Sequence, residues 1–146
     1  MRRCYIFDID GTIADGDHRL HHIQKQPKDW DAYFDACHDD KPIHHVIGVA
    51  WALNSAGHKI VLVSGRSAII REKTEEWLRW HLPFYDALYM RPEGDHKDDD
   101  KLKIELLEQM RLDGWDPVMA FDDRSRVVKA WREAGIPCAQ VAEGDF

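Results

Sequence analysis

A chain of 146 residues is one domain's worth, long enough to enclose a core, and its 44% apolar content with six Trp suits a folded globule. The net charge of −7, from 27 acidic and 20 basic residues, argues against general affinity for a polyanion but allows a local basic mouth around an acidic centre. No apolar stretch approaches the ~20 residues of a membrane span, and the three scattered Cys (Cys4, Cys37, Cys138) read as reduced thiols of a cytoplasmic protein.

The start, Met1-Arg2-Arg3, is basic, but the apolar run behind it is too short for a signal peptide. Tyr5-Ile6-Phe7 predicts a strand buried on both faces. It ends in Asp8 and Asp10, two carboxylates that an extended chain would point the same way, ~6–7 Å apart. Such a pair near a core is costly unless a cation neutralises it. Gly11 then permits a turn, and Thr12 offers a hydroxyl where the chain leaves the sheet. The chemistry this suits is phosphoryl transfer. Asp8 would be the nucleophile, forming an aspartyl-phosphate, and Asp10 the acid that protonates the leaving oxygen and the base that activates water.

Residues 13–45 show no clear period and read as a small cap or insert. Within them, Trp30, Tyr33, Phe34 and Cys37 have the spacing of a short helix. Six of the nine His lie between His18 and His45, without the tight spacing of the usual metal sites, and read as a polar surface segment or lid. Residues 42–56 predict a helix stopped by Gly57. A second buried strand, residues 59–63, ends in Ser64-Gly65-Arg66, and a helix is expected over 67–82 with Trp77 and Trp80 packed. A hydroxyl, exposed amides and a guanidinium before a helix suit a phosphate.

A third strand spans 87–91. The acidic run Asp98 to Asp100 opens a helix to about Leu112, where acidic residues suit the dipole. Lys103 follows Asp99 by one turn, so the two can pair and aim an ammonium at the nucleophile. Lys101, about 200° round that helix, is expected to face water or the substrate mouth. A fourth strand over 117–121 ends in Asp122-Asp123. A hard cation needs more oxygen ligands than the first strand offers, so Asp122 would bind Mg²⁺ directly, with Asp123 in support. A helix over 125–134 and a last strand over 138–142 follow.

Strands alternating with helices predict an α/β fold: a Rossmann-like, five-stranded parallel sheet with helices on both faces. In such sheets ligands bind at the carboxyl ends of the strands, where Asp8, Asp10, Ser64 and Asp122 all fall.

The order Phe-Asp-Ile-Asp-Gly-Thr, Val-Ser-Gly-Arg, a Lys, then Phe-Asp-Asp-Arg resembles the haloacid dehalogenase (HAD) superfamily, most of whose members are Mg²⁺-dependent phosphatases. From about Cys4 to Phe146 the chain is similar to the 3′-phosphatase domain of the bifunctional polynucleotide kinase/phosphatases of phages and bacteria. The resemblance implies that Asp8 is nucleophile and Mg²⁺ ligand, and that Asp10 adds its backbone carbonyl to the metal. It implies that Ser64 and Lys103 bind the transferring phosphate, that Arg66 and Arg19 assist at the phosphate or nucleotide, and that Asp99 orients Lys103. It makes Asp122 a metal ligand with Asp123 beside it. The implied substrate is a 3′-phosphorylated nucleic-acid end or nucleotide. No Gly-x-x-x-x-Gly-Lys-Ser/Thr string is present, so a kinase would be a partner or a parent chain. The alternatives are a phosphatase of another small ester and, more distantly, a phospho-receiver domain, in which the acceptor Asp lies on a later strand.

Overall fold

The opening apolar run is β1 (Arg2–Phe7), the central strand of a five-stranded sheet in the computed structural model, which describes all 146 residues. After it come β2 (Ala14–Asp15), α1 (His21–Gln24), α2 (Trp30–Asp35) and β3 (Lys41–Pro42), which make up the insert. Then α3 (His44–Ser55), β4 (Lys59–Ser67), α4 (Arg71–His81), β5 (Ala87–Arg91), α5 (Asp99–Leu112), β6 (Trp115–Asp122), α6 (Ser125–Glu133) and β7 (Cys138–Gln140) alternate to the end. The sheet order is β5-β4-β1-β6-β7, with every pairing parallel. The chain winds outward from β1 to β5, returns to β6, and winds out the other way. The reversal puts a crevice at the carboxyl ends of β1, β4 and β6.

Alternation along the strands divides the core in two. Phe7, Ile60 and Leu62 pack with Trp77, Leu78 and the root of the insert. Ile6, Val61 and Val63 face the other way, onto Leu102, Leu106, Val127 and Trp131 of α5 and α6. Both faces are covered, which is why these strands read as unbroken apolar runs. Phe7 and Phe121 are register partners and stack at 4.4 Å, a floor beneath the residues that follow each strand. The three Cys are free and buried, and burial pushes the thiols of Cys4 and Cys138 up to about 12, which suits inert core residues. No helix is long and apolar enough to cross a membrane.

The insert is anchored at its base. Ile9, Ile13, Ala14 and Cys37 are fully buried in the core, and β2 pairs antiparallel with β3. Its short helix matches the expected 3.6-residue spacing, and Asp29 caps it by accepting from the Ala32 amide. Two expectations need correction. The second strand does not stop at Val63: after an irregularity β4 regains its pairing with β5 at Ser67↔Arg91, and α4 begins only at Arg71. Trp80 does not pack. The buried stripe of α4 is Thr74, Trp77 and Leu78, and Trp80, about 200° beyond Leu78, is 80% exposed.

Candidate active site

Asp8 follows the last residue of β1, and its amide donates to Phe121 of β6. Both of its side-chain oxygens are engaged: Lys103 Nζ reaches Oδ1 at 2.8 Å and the Thr12 hydroxyl reaches Oδ2 at 3.2 Å. Lys103 projects from α5 into the crevice, where it also meets the Val63 carbonyl at 3.0 Å and Asp122 Oδ2 at 3.1 Å. Burial and then the Asp122 carboxylate push the Asp8 carboxyl well above the usual carboxylate range, against the pull of Lys103. Burial works against the Lys103 ammonium, but Asp122 and Asp8 outweigh it and keep the group charged. Asp122 is held in place by the Asp123 amide at 2.9 Å and by Trp131 Nε1 at 3.3 Å.

Gly11 is needed here. Its φ is +80°, and a Cβ would lie 2.1 Å from Asp123 Oδ2. Asp8, Asp122 and Asp123 offer carboxylate oxygens that all lie within 4.8 Å of one another. Three buried carboxylates face one ammonium, and the Asp123 carboxyl is pushed up to about 6 by burial and then by Asp122. Hard oxygen donors carrying uncompensated charge fit Mg²⁺. Between the unfolded value near 3.8 and about 6, the folded protein binds more protons at Asp123, so this group's contribution to stability falls as pH rises through that window. Mg²⁺ bound at this cluster would compete with those protons. Its stabilising effect on the melting temperature should therefore be larger near neutral pH than at about pH 5, and an equal effect at both would remove the cluster as a metal site.

Asp10 lies in a different environment from Asp8. Its carboxylate is held by Arg66 through Nη2 at 2.8 Å and Nε at 3.0 Å, and by Arg19 Nη2 at 3.0 Å. Burial raises its pKa, but Arg66 and then Arg19 outweigh this and bring it below the usual range. Its side chain is therefore apart from the Asp8, Asp122 and Asp123 carboxylates, contrary to the pairing of Asp8 with Asp10 expected from an extended strand. The strand ends at Phe7, and the turn that follows sends the two carboxylates to different cations.

Behind Asp10 is a residue that the sequence did not reveal. Asp40 has a fully buried side chain and accepts from Arg19 Nε at 2.9 Å, Arg19 Nη2 at 3.0 Å and Arg66 Nη2 at 2.9 Å. His18 Nε2 lies 2.8 Å from it. Thr74 takes another Arg66 proton, and the Tyr33 ring lies under Arg19 at 4.4 Å. Asp40 and Asp10 together hold both guanidiniums. Replacing Asp40 by Ala leaves two buried cations with one carboxylate, and should cost about 3–5 kcal/mol in urea denaturation.

One further expectation fails on geometry. Asp99 does not pair with Lys103. Lys103 is drawn inward by Asp8 and Asp122, and Asp99 instead bridges Arg91 at 2.6 Å and Arg124 at 2.8 Å at the rim. Thr12 is fully buried, and its hydroxyl donates to Asp8. Ser64 is fully buried and its hydroxyl accepts from the Arg66 amide, and Gly65 and Arg66 line the cleft. Lys101 is exposed and faces water. Asp8, Asp10, Arg19, Arg66, Lys103, Asp122 and Asp123 all open onto one cleft of about 900 Å³.

Fold and site together define a phosphatase of the haloacid dehalogenase type. The chain matches the family described as the polynucleotide kinase PNKP phosphatase domain over residues 2–146, and belongs to it. It is similar to a chain of the Pnkp1/Rnl/Hen1 complex, with 31% identity and a TM-score of 0.83, covering all of this chain and 48% of that one. A putative bifunctional polynucleotide kinase/RNA ligase of Autographa californica nuclear polyhedrosis virus is 29% identical over 136 residues, which are 92% of this chain and 18% of the viral protein. The chain thus spans less than half the length of these two relatives. The class C acid phosphatase of Bacillus anthracis shares the fold, with a TM-score of 0.63 at 16% identity over 97% of this chain and 68% of that one.

Proposed function

We propose that this chain is a Mg²⁺-dependent phosphomonoesterase that works through an aspartyl-phosphate on Asp8 and removes 3′-phosphate from nucleic-acid ends or nucleotides. The observation that carries the reading is the setting of Asp8: a buried carboxylate at the end of the central strand, gripped by Lys103 and Thr12, beside two further carboxylates. Asp8 attacks phosphorus and the bond from phosphorus to the ester oxygen breaks, while Asp10, which takes up a proton once the substrate draws Arg66 and Arg19 off its carboxylate, gives that proton to the oxygen. Asp10 then takes a proton from water as the water attacks phosphorus. The bond to Asp8 breaks and inorganic phosphate leaves. Mg²⁺, held by Asp8, Asp122 and the Asp10 backbone carbonyl with Asp123 in support, would neutralise charge on the phosphoryl oxygens.

Lys103 remains charged throughout and meets the same oxygens, with Ser64 and Gly65 following Val63 on the adjacent strand β4. Arg66 and Arg19 currently hold Asp10. An arriving phosphate competes for those guanidiniums and frees the Asp10 carboxyl for proton transfer. The insert 13–45 acts as a cap that selects substrate. The names of the relatives support a kinase in the same chain or in a partner, and the three free thiols suit a cytoplasmic compartment, which we place in a bacterial or virus-infected cell. Phosphate release should be tested on a 3′-phosphorylated oligonucleotide beside its 5′-phosphorylated isomer and a sugar phosphate. Preference for the first supports end repair. Preference for the sugar phosphate would redirect the same chemistry to a metabolite.

A further inference from the structure

The catalytic carboxylates use only part of the cleft. Its volume of about 900 Å³ is at the upper end of what a drug-sized ligand fills, so a phosphate alone would leave most of it empty. Of the chain's eight exposed large hydrophobic side chains, three line this cleft: Trp30, Ile69 and Phe146. Trp30 is tied to the catalytic residues by a sequence of stacked groups. The Arg19 guanidinium, bonded to Asp10, lies 4.4 Å over the Tyr33 ring. The Trp30 indole meets Tyr33 edge-on at 5.8 Å and Phe34 at 5.9 Å, and remains 47% exposed. At a cleft wall an exposed indole offers a π face to a ligand. The Lys28 ammonium, 5.9 Å from the same ring, suits a phosphodiester next to a stacked base.

Resting on the phosphatase reading above, we infer that Trp30 is the stacking platform for the terminal nucleobase of a 3′-phosphorylated single strand, with Ile69 as a second apolar contact. The occupant is a base because the platform is aromatic, continuous with the phosphate-binding guanidinium, and flanked by a cation. Stacking of this kind is indifferent to base identity, so the preference is for a base over none, with little choice among bases.

The test measures binding in an Asp8→Asn background, where no turnover occurs. Two ligands are compared by fluorescence anisotropy: a short 3′-phosphorylated oligonucleotide, and the same backbone with its terminal nucleotide abasic. The base-bearing ligand should bind about tenfold more tightly. Trp30→Ala should erase that advantage, Trp30→Phe should restore most of it, and Trp80→Ala, outside the cleft, should leave it unchanged. Circular dichroism checks that each variant folds. Equal affinity for the two ligands, or a Trp30→Ala loss of the same size on both, would overturn the platform. Failure of the phosphatase reading looks different: wild-type protein with Mg²⁺ would release no phosphate while the base-dependent affinity persists.

Discussion

Replacing Asp8 by Asn should lower phosphate release by at least about a thousandfold, because it removes the carboxylate that would form the aspartyl-phosphate. The fold should survive. The Asp8 carboxyl is pushed up by burial and by Asp122, so its charge is a burden in the metal-free protein. The Asn oxygen can still accept from Lys103, and Lys103 keeps Asp122 and the Val63 carbonyl. In EDTA the variant should therefore be as stable as the parent or more so, by chemical denaturation. Retained phosphate release, with the fold intact, would remove Asp8 as the nucleophile.

Replacing Lys103 by Met should damage both stability and activity. The ammonium is almost fully buried between Asp8 and Asp122, and its removal leaves the acidic cluster with no protein cation. In EDTA near neutral pH the loss should be about 3–5 kcal/mol. The direction of the pH response is fixed. With the carboxyls raised further, the folded variant binds more protons than the unfolded chain, so its stability recovers as pH falls and declines as pH rises. Mg²⁺ should restore part of the stability by supplying the missing charge, raising the melting temperature more than it does in the parent. Activity should remain about a hundredfold or more below the parent even at saturating Mg²⁺, since in the proposed mechanism the ammonium would also face the transferring phosphoryl group. An Mg²⁺ response no larger than the parent's would separate Lys103 from the metal cluster.

The sheet was legible because each strand is a short apolar run with a turn or helix after it, and β5 has the limits its sequence predicts. The meeting of Asp8, Lys103 and Asp122 was legible for the same reason: a carboxylate at the end of a buried strand, or a Lys one turn inside a helix, has few places to go. What failed was pairing. Asp99 and Lys103 satisfy the i, i+4 rule, but that rule is worth only a few tenths of a kcal/mol and yields to stronger partners on each side. Asp40 gave no signal at all. It follows Asp39 in an irregular stretch, and its importance comes wholly from guanidiniums 21 and 26 residues away. The end of β4 was missed because the amphipathic pattern of α4 begins before the helix does, while Ser67 still pairs with Arg91.

The most direct measurement is acid-quenched transfer of label from a substrate carrying ³²P in its 3′-phosphate. The account predicts phosphate bound covalently to the wild-type protein during turnover, recovered in the peptide that contains Asp8 and absent from the Asp8→Asn variant. Rapid turnover with no protein-bound label, or label on another residue, would contradict it.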